Sequence, residues 1–167
     1  MDFKKIDINN YTFNPFTKIS KEWLLVTAEK EGVANTLTAS WGGVGHIWNK
    51  NVVYIFIRES RYTKEFLDSS DTFSLTFFDD KYKTDLSYLG TVSGRDEKKI
   101  EKVGFNVSHI DNTPYFDEAK EVFICKKLSK HFIAKDGMID ETIVPKCYSN
   151  NDYHYMYVGE IIDIYTK

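Results

Sequence analysis

The sequence predicts a mainly β fold: a closed or nearly closed antiparallel barrel with a few short helices at its flanks. The first observation is the aromatic content, 16% of 167 residues, with eleven Tyr and twelve Phe. Such side chains suit the half-buried, pleated surface of a sheet. The second is hydrophobic periodicity: about six segments alternate with period two or run wholly apolar. The third is punctuation, since Gly, Asp and Asn turn signals separate these segments at short spacing.

Taken in order, residues 11–20 contain Asn14-Pro15-Phe16 and read as the end of an N-terminal arm over 1–20. Residues 22–29 (EWLLVTAE) form a strand, Lys30-Glu31-Gly32 a turn, and residues 33–41 the returning strand of a hairpin. Residues 52–57 are apolar throughout, as a strand buried on both faces would be. A short helix over 63–69 (TKEFLDS) and a strand over 73–78 (FSLTFF) follow, then a helical turn over 85–89 closed by Gly90. Ser93 with Asp96 three residues later matches an acidic capping box and predicts a helix over 96–103, stopped by Gly104. Tyr115-Phe116 precedes a strand near 121–128, and Asp136-Gly137 marks a turn. The last strand covers 153–165, where Tyr153, Tyr155 and Tyr157 alternate with His154, Met156 and Val158. With no repeat, low-complexity tract or linker, one domain is expected over 1–167.

Charge and composition exclude several classes. A net charge of -3 offers no basic excess for a phosphate backbone, so nucleic-acid binding is not expected. No apolar run approaches the ~20 residues of a membrane helix, and Met1-Asp2-Phe3-Lys4-Lys5 does not open a signal peptide. Cys125 and Cys147 lack a CxxC pattern and fit a reduced, cytoplasmic protein. His46, His109 and His131 show no ligand spacing with one another or with either Cys, so no metal is expected. No Ser-His-Asp or Cys-His assignment can be drawn, and no catalytic residue is named.

The chemistry concentrates in two segments. In Asn35-Thr36-Leu37-Thr38-Ala39-Ser40-Trp41 the hydroxyls of Thr36, Thr38 and Ser40 share one strand face, and Leu37, Ala39 and Trp41 the other. Contact with one ligand from both faces requires a twist, a bulge or backbone groups. After the apolar strand come Arg58, Ser60, Arg61, Tyr62 and Thr63, placing two guanidiniums and two aliphatic hydroxyls, with a tyrosine between, at a strand-to-helix junction. Guanidinium matches phosphate in paired, charge-assisted bonds, and a helix start adds N–H donors. A ligand with a flat polar ring and a phosphate tail fits this pattern. Either arginine can serve; Arg61 is preferred.

The order and spacing of four motifs carry a resemblance. They are Asn35-x-x-Thr38-Ala39-Ser40-Trp41, Val53-Tyr54-Ile55-x-Ile57-Arg58-x-Ser60-Arg61-Tyr62-Thr63, Leu89-Gly90-x-x-Ser93-Gly94-Arg95-Asp96-x-x-Lys99 and His154-x-Met156-Tyr157-Val158-Gly159-Glu160-Ile161. Over about residues 15–164 the chain resembles the flavin-reductase-like family of FMN-binding split β-barrels, nearest its flavoredoxin type. The resemblance implies FMN as cofactor and NAD(P)H as a transient co-substrate. It implies contacts from Asn35 through Trp41, from the Arg58–Thr63 junction, from Ser87, Gly90, Ser93 and Lys99 (or its neighbour Lys98), and from His154. It also implies a homodimer with FMN near the interface. The activity implied is electron transfer from NAD(P)H through FMN to a flavin, a protein or another acceptor. The alternatives are a flavoredoxin-type electron carrier and a non-catalytic flavin-binding protein.

Overall fold

Two tight turns organise the sheet. Glu31-Gly32 and Trp48-Asn49 carry positive φ at both residues, the arrangement that joins adjacent antiparallel strands with matching twist. The first joins β2 (Leu24–Lys30) to β3 (Val33–Ala39), and the second joins β4 (Gly42–Ile47) to β5 (Lys50–Arg58). This computed structural model describes residues 2–167. Strands hold 43% of the residues against 26% in helices, so the fold is mainly β.

The remaining strands are β1 (Lys4–Ile6), β6 (Thr72–Phe77), β7 (Val107–Ile110), β8 (Thr113–Phe116), β9 (Glu121–Phe132) and β10 (His154–Thr166). The helices are short: α1 (Pro15–Thr17), α2 (Thr63–Ser69), α3 (Lys83–Thr91), α4 (Lys99–Val103) and α5 (Ile143–Cys147). The main sheet is antiparallel and runs β3-β2-β6-β9-β10-β5-β4. Its end strands, β3 and β4, are joined by Ser40-Trp41 alone. That link spans no more than about 11 Å between flanking Cα atoms. The sheet must therefore roll until its two ends meet, although no ladder joins them: a split barrel. The long strand β10 binds β9 along one side and shares its other side between β5 and β1.

Period-two alternation divides neighbouring residues between two cores. Leu24, Val26, Leu37, Val53, Ile55, Phe73, Phe77, Phe123 and Tyr157 fill one. Leu25, Leu86, Leu89, Phe105, Phe116, Val122 and Ile124 form the other, under α3, α4 and the β7–β8 hairpin. Strand β2 is thus buried on both faces, as β5 largely is.

Several sequence readings need correction. The N-terminal arm is part of the sheet through β1. The stretch containing Gly42, Gly43 and Gly45, which the period and turn signals leave unassigned, is strand β4. Tyr115-Phe116 precedes the strand expected near 121–128, which is β9, and itself lies in a further strand, β8. The helix expected over 96–103 begins at Lys99. The Ser93 carbonyl takes the N–H groups of Asp96 and Glu97 as an isolated turn, and Ser93 Oγ caps Arg95 instead of Asp96. Lys98 then leaves helical conformation, with ψ 64°. Gly90 lies within α3 rather than ending it, whereas Gly104 stops α4 in the left-handed region as expected.

Candidate functional site

The split between β3 and β4 opens into two adjoining cavities. The smaller, about 170 Å³, is lined by Leu37, Thr38, Ala39, Ser40 and Trp41 from the β3 end, by Phe56, Ile57 and Arg58 of β5, and by Arg61 and His154. The larger, about 770 Å³, continues past Ser40, Trp41 and Phe56 toward α1 and α5. Trp41 is 47% exposed, so its indole is a wall of the cleft and not part of the core.

One end of the small cavity is cationic. Arg61 donates from Nη2 to the Gly90 carbonyl at 2.8 Å. Lys99 is buried and donates to the carbonyls of Leu89 and Val92 at 2.8 and 2.9 Å. Both cations therefore sit on the C-terminal carbonyls of α3. A helix end offers about half an elementary negative charge. Among the described residues neither cation pairs with a carboxylate, so more than one positive charge is left without a partner. Burial, then the Arg61 charge, lowers the Lys99 ammonium to about 8. Burial also lowers Arg61; Asp152 opposes this and Arg58 adds to it. Asp152 is itself taken up by the backbone N–H and hydroxyl of Ser60.

Arg58 has a different environment. Its two terminal nitrogens donate to the carbonyls of Asp152 at 2.6 Å and Cys147 at 3.0 Å, with the Tyr148 ring 5.4 Å away. It clamps the segment after α5 against the end of β5. That clamp sets Tyr148 against His154, whose Nδ1 lies 2.8 Å from the Tyr148 hydroxyl.

The structure brings eight of the expected residues to the small cavity: Leu37, Thr38, Ala39, Ser40, Trp41, Arg58, Arg61 and His154. The others stand behind them. Asn35 donates to Thr63 Oγ1 at 3.1 Å, tying β3 to α2. Thr36 donates to the Val26 carbonyl and meets Thr27, both on β2. The Thr38 hydroxyl bonds the Leu86 carbonyl, and a Cβ at Gly90 would lie 3.0 Å from Thr38 Cβ, so the glycine lets α3 dock on β3. Tyr62 packs edge-on against Phe66; Ser87 is exposed on α3, Ser93 Oγ accepts from the Arg95 N–H, and neither lines the small cavity. Of the two adjacent lysines, Lys99 points inward, while Lys98 is exposed and pairs with Glu101. Sequence reasoning missed Phe56 and Tyr148. Phe56 is hidden in an apolar run, and Tyr148 carries no motif.

A family model for the flavin reductase like domain matches residues 16–167. The chain belongs to the flavin reductase-like family. Membership makes its function flavin-related and, broadly, oxidoreductive. Among solved structures, a flavoredoxin from Methanosarcina acetivorans is similar with TM-score 0.69 and 23% identity, covering 98% of this chain and 76% of that one. An FMN-binding domain of a flavin reductases-like enzyme from Shewanella baltica OS155 gives TM-score 0.71 at 14% identity, covering 99% and 77%. The flavoredoxin of Desulfovibrio vulgaris (Miyazaki F) gives 0.69 at 18%, covering 98% and 77%. At these identities the likeness is one of fold. Among curated proteins none matches the sequence. Among the described residues, no helix is long and apolar enough to cross a membrane.

In this flavin reductase-like chain His154 is neutral at pH 7. Burial first, then the nearby Arg58 charge, lowers it from 6.5 to about 4, against a smaller opposing effect of Asp152. Between those two values the unfolded chain holds a proton that the folded chain does not. The His154 contribution to stability is therefore full above pH 6.5 and is lost as pH falls toward 4. The melting temperature of the native chain is expected to fall more steeply over that window than that of His154→Gln. Parallel curves would show that His154 titrates normally.

Proposed function

We propose that the chain is an FMN-dependent oxidoreductase that takes electrons from NADH or NADPH and passes them to a free flavin, a protein or another acceptor. One observation carries the reading: at one end of a cleft whose wall is aromatic stands the half-buried Arg61 guanidinium, backed by the buried Lys99 ammonium on the same helix end, and among the described residues neither has a carboxylate partner. That donor set fits an aromatic ring with a phosphate tail, and sites for such ligands run to about 300–1,000 Å³. Arg61 would hold the phosphate, with Lys99 adding charge behind it. Backbone N–H groups and the Ser40 hydroxyl along 38–41 would meet the polar edge of the ring, and Trp41 and Phe56 its apolar part. Bound FMN supplies reversible two-electron chemistry and a visible absorbance.

The chain's own part is to bind, orient and keep dry. Leu37, Ala39 and Ile57 are buried and exclude water from the small cavity. An anion beside Lys99 and Arg61 would raise both from their lowered values and so add stability to the folded state. No GxGxxG stands in the sequence, so the nicotinamide nucleotide is held without a Rossmann unit. The exposed Phe16, Trp48 and Ile139 suit a homodimer with the cleft near its interface. The free thiols Cys125 and Cys147 suit the cytoplasm.

Anaerobic titration tests the reading. The purified protein is expected to be yellow and to bleach on addition of NADH or NADPH. Bleaching by dithionite or a reduced protein alone would select the electron carrier. A protein that takes up no FMN would reject both.

A further inference from the structure

The larger cavity contains no charged side chain among the residues that line it; Ile19, Trp41, Val44, Phe56 and Ile143 make most of its character. Arg58 and Arg61 line only the smaller one. A pyrophosphate or carboxylate seated in the large lobe would lose hydration with no cation to replace it. An uncharged ring bears no such penalty and gains apolar contact.

One polar pair stands at the junction of the two cavities. Tyr148 lines the lobe and His154 the small cavity, with the His154 ring 5.3 Å from that of Trp41. Among the described residues the Tyr148 hydroxyl has His154 Nδ1 as its only hydrogen-bond partner. If Nδ1 carried the ring proton, the hydroxyl hydrogen would have no acceptor. The arrangement that satisfies both groups has the hydroxyl donating to Nδ1 and the imidazole proton on Nε2. Among the described residues Nε2 has no hydrogen-bond partner, it is not one of the fully buried unpartnered atoms, and His154 lines the small cavity.

We propose that the uncharged lobe is a subsite for a neutral ring bearing a carbonyl oxygen, of the quinone class, and that Tyr148 positions His154 as a neutral Nε2–H donor to that oxygen. Naming this ring as the electron acceptor rests on the oxidoreductase reading; its binding does not require flavin.

The probe is menadione, added to the protein as isolated and followed by saturation-transfer NMR. The native chain is expected to bind it. Ile143→Asp places a carboxylate in the lobe and is expected to weaken binding by about tenfold or more. Ile143 belongs to neither core cluster; should that variant fail to fold, Met138→Glu carries the same test. Tyr148→Phe is expected to weaken binding severalfold and to convert the His154 ring to mixed tautomers, read from its ¹⁵N shifts. The ring shifts of His46, His109 and His131 report whether the fold is kept. Absence of menadione binding to the native chain overturns the proposal, including the case in which a second copy fills the lobe and Ile143→Asp splits the dimer. So does unchanged binding by Ile143→Asp and Tyr148→Phe together, or an Nδ1–H tautomer in the native protein. Menadione binding without FMN uptake would keep the subsite and reject the flavin reading instead.

Discussion

Arg61→Ala is expected to weaken FMN binding by about a hundredfold while leaving riboflavin binding and the fold intact. The argument is electrostatic. Arg61 lines the small cavity, and its one protein acceptor among the described residues is the Gly90 carbonyl. That is a helix-end contact of modest worth, since α3 also receives Lys99 on its last carbonyls. Removing the guanidinium relieves the charge that helps lower Lys99, so the loss of one hydrogen bond is partly offset. Most of the guanidinium's hydrogen-bonding capacity is therefore free for a ligand phosphate. Riboflavin has the same ring without the phosphate, and it separates loss of an anion contact from general collapse of the cleft. Fluorescence titration of both ligands into native and variant protein makes the measurement. Equal FMN affinity in the two, or an equal loss for riboflavin, would remove Arg61 from the phosphate role.

Where the sequence misled, local signals were overruled by packing across the chain. The β2–β3 hairpin and α2 were legible because period and turn chemistry agree there. Strand β4 was not. Three glycines in six residues lower its strand propensity, and its compensation comes from another strand: a Cβ at Gly45 would lie 3.0 Å from the Tyr54 ring. The turn at Trp48-Asn49 gave little signal either, since both residues are held left-handed and a bulky side chain rarely adopts that conformation. Site legibility had the same limit. Hydroxyls in a strand-end motif read as ligand contacts, yet the Thr36 hydroxyl is spent on β2 and the Thr38 hydroxyl on α3. Arg58 and Arg61 look equivalent three residues apart, but only a fold that returns 147–152 over the end of β5 gives Arg58 two carbonyls to clamp. The joint order of motifs pointed to the cleft because it reflects the rolled sheet that a single motif cannot encode.

Lys18→Ala is expected to lower stability by about 3 kcal/mol, the low end for breaking a buried ion pair. For a chain of this size that is a fall of about 6–12 °C in melting temperature. Lys18 Nζ lies 2.6 Å from Glu121 Oε2, with side-chain exposures of 7% and 17%. The ammonium also sits 4.6 Å from the centre of the Phe77 ring. Truncation leaves the carboxylate at the start of β9 with Tyr11 as its remaining side-chain donor, and opens a gap above Phe77. The consequence reaches the cleft through the π-helical turn Lys18–Glu22, whose Ile19 and Ser20 line the large lobe. That turn ends at Trp23, a non-glycine residue held at φ 69°, a conformation that persists only where surrounding contacts enforce it. Lys83 over the Trp23 ring and Lys120 on Glu22 are two of those contacts, and Lys18 on Glu121 is the third and most buried. Lys18→Ala should therefore weaken ligand binding in the lobe more than in the Arg61 cavity. The double variant Lys18→Met with Glu121→Leu removes both charges and should recover most of the lost stability. Thermal denaturation of the three proteins decides it. A single variant as stable as the native chain, or a double variant no better than the single, would show that the pair does not hold this wall in place.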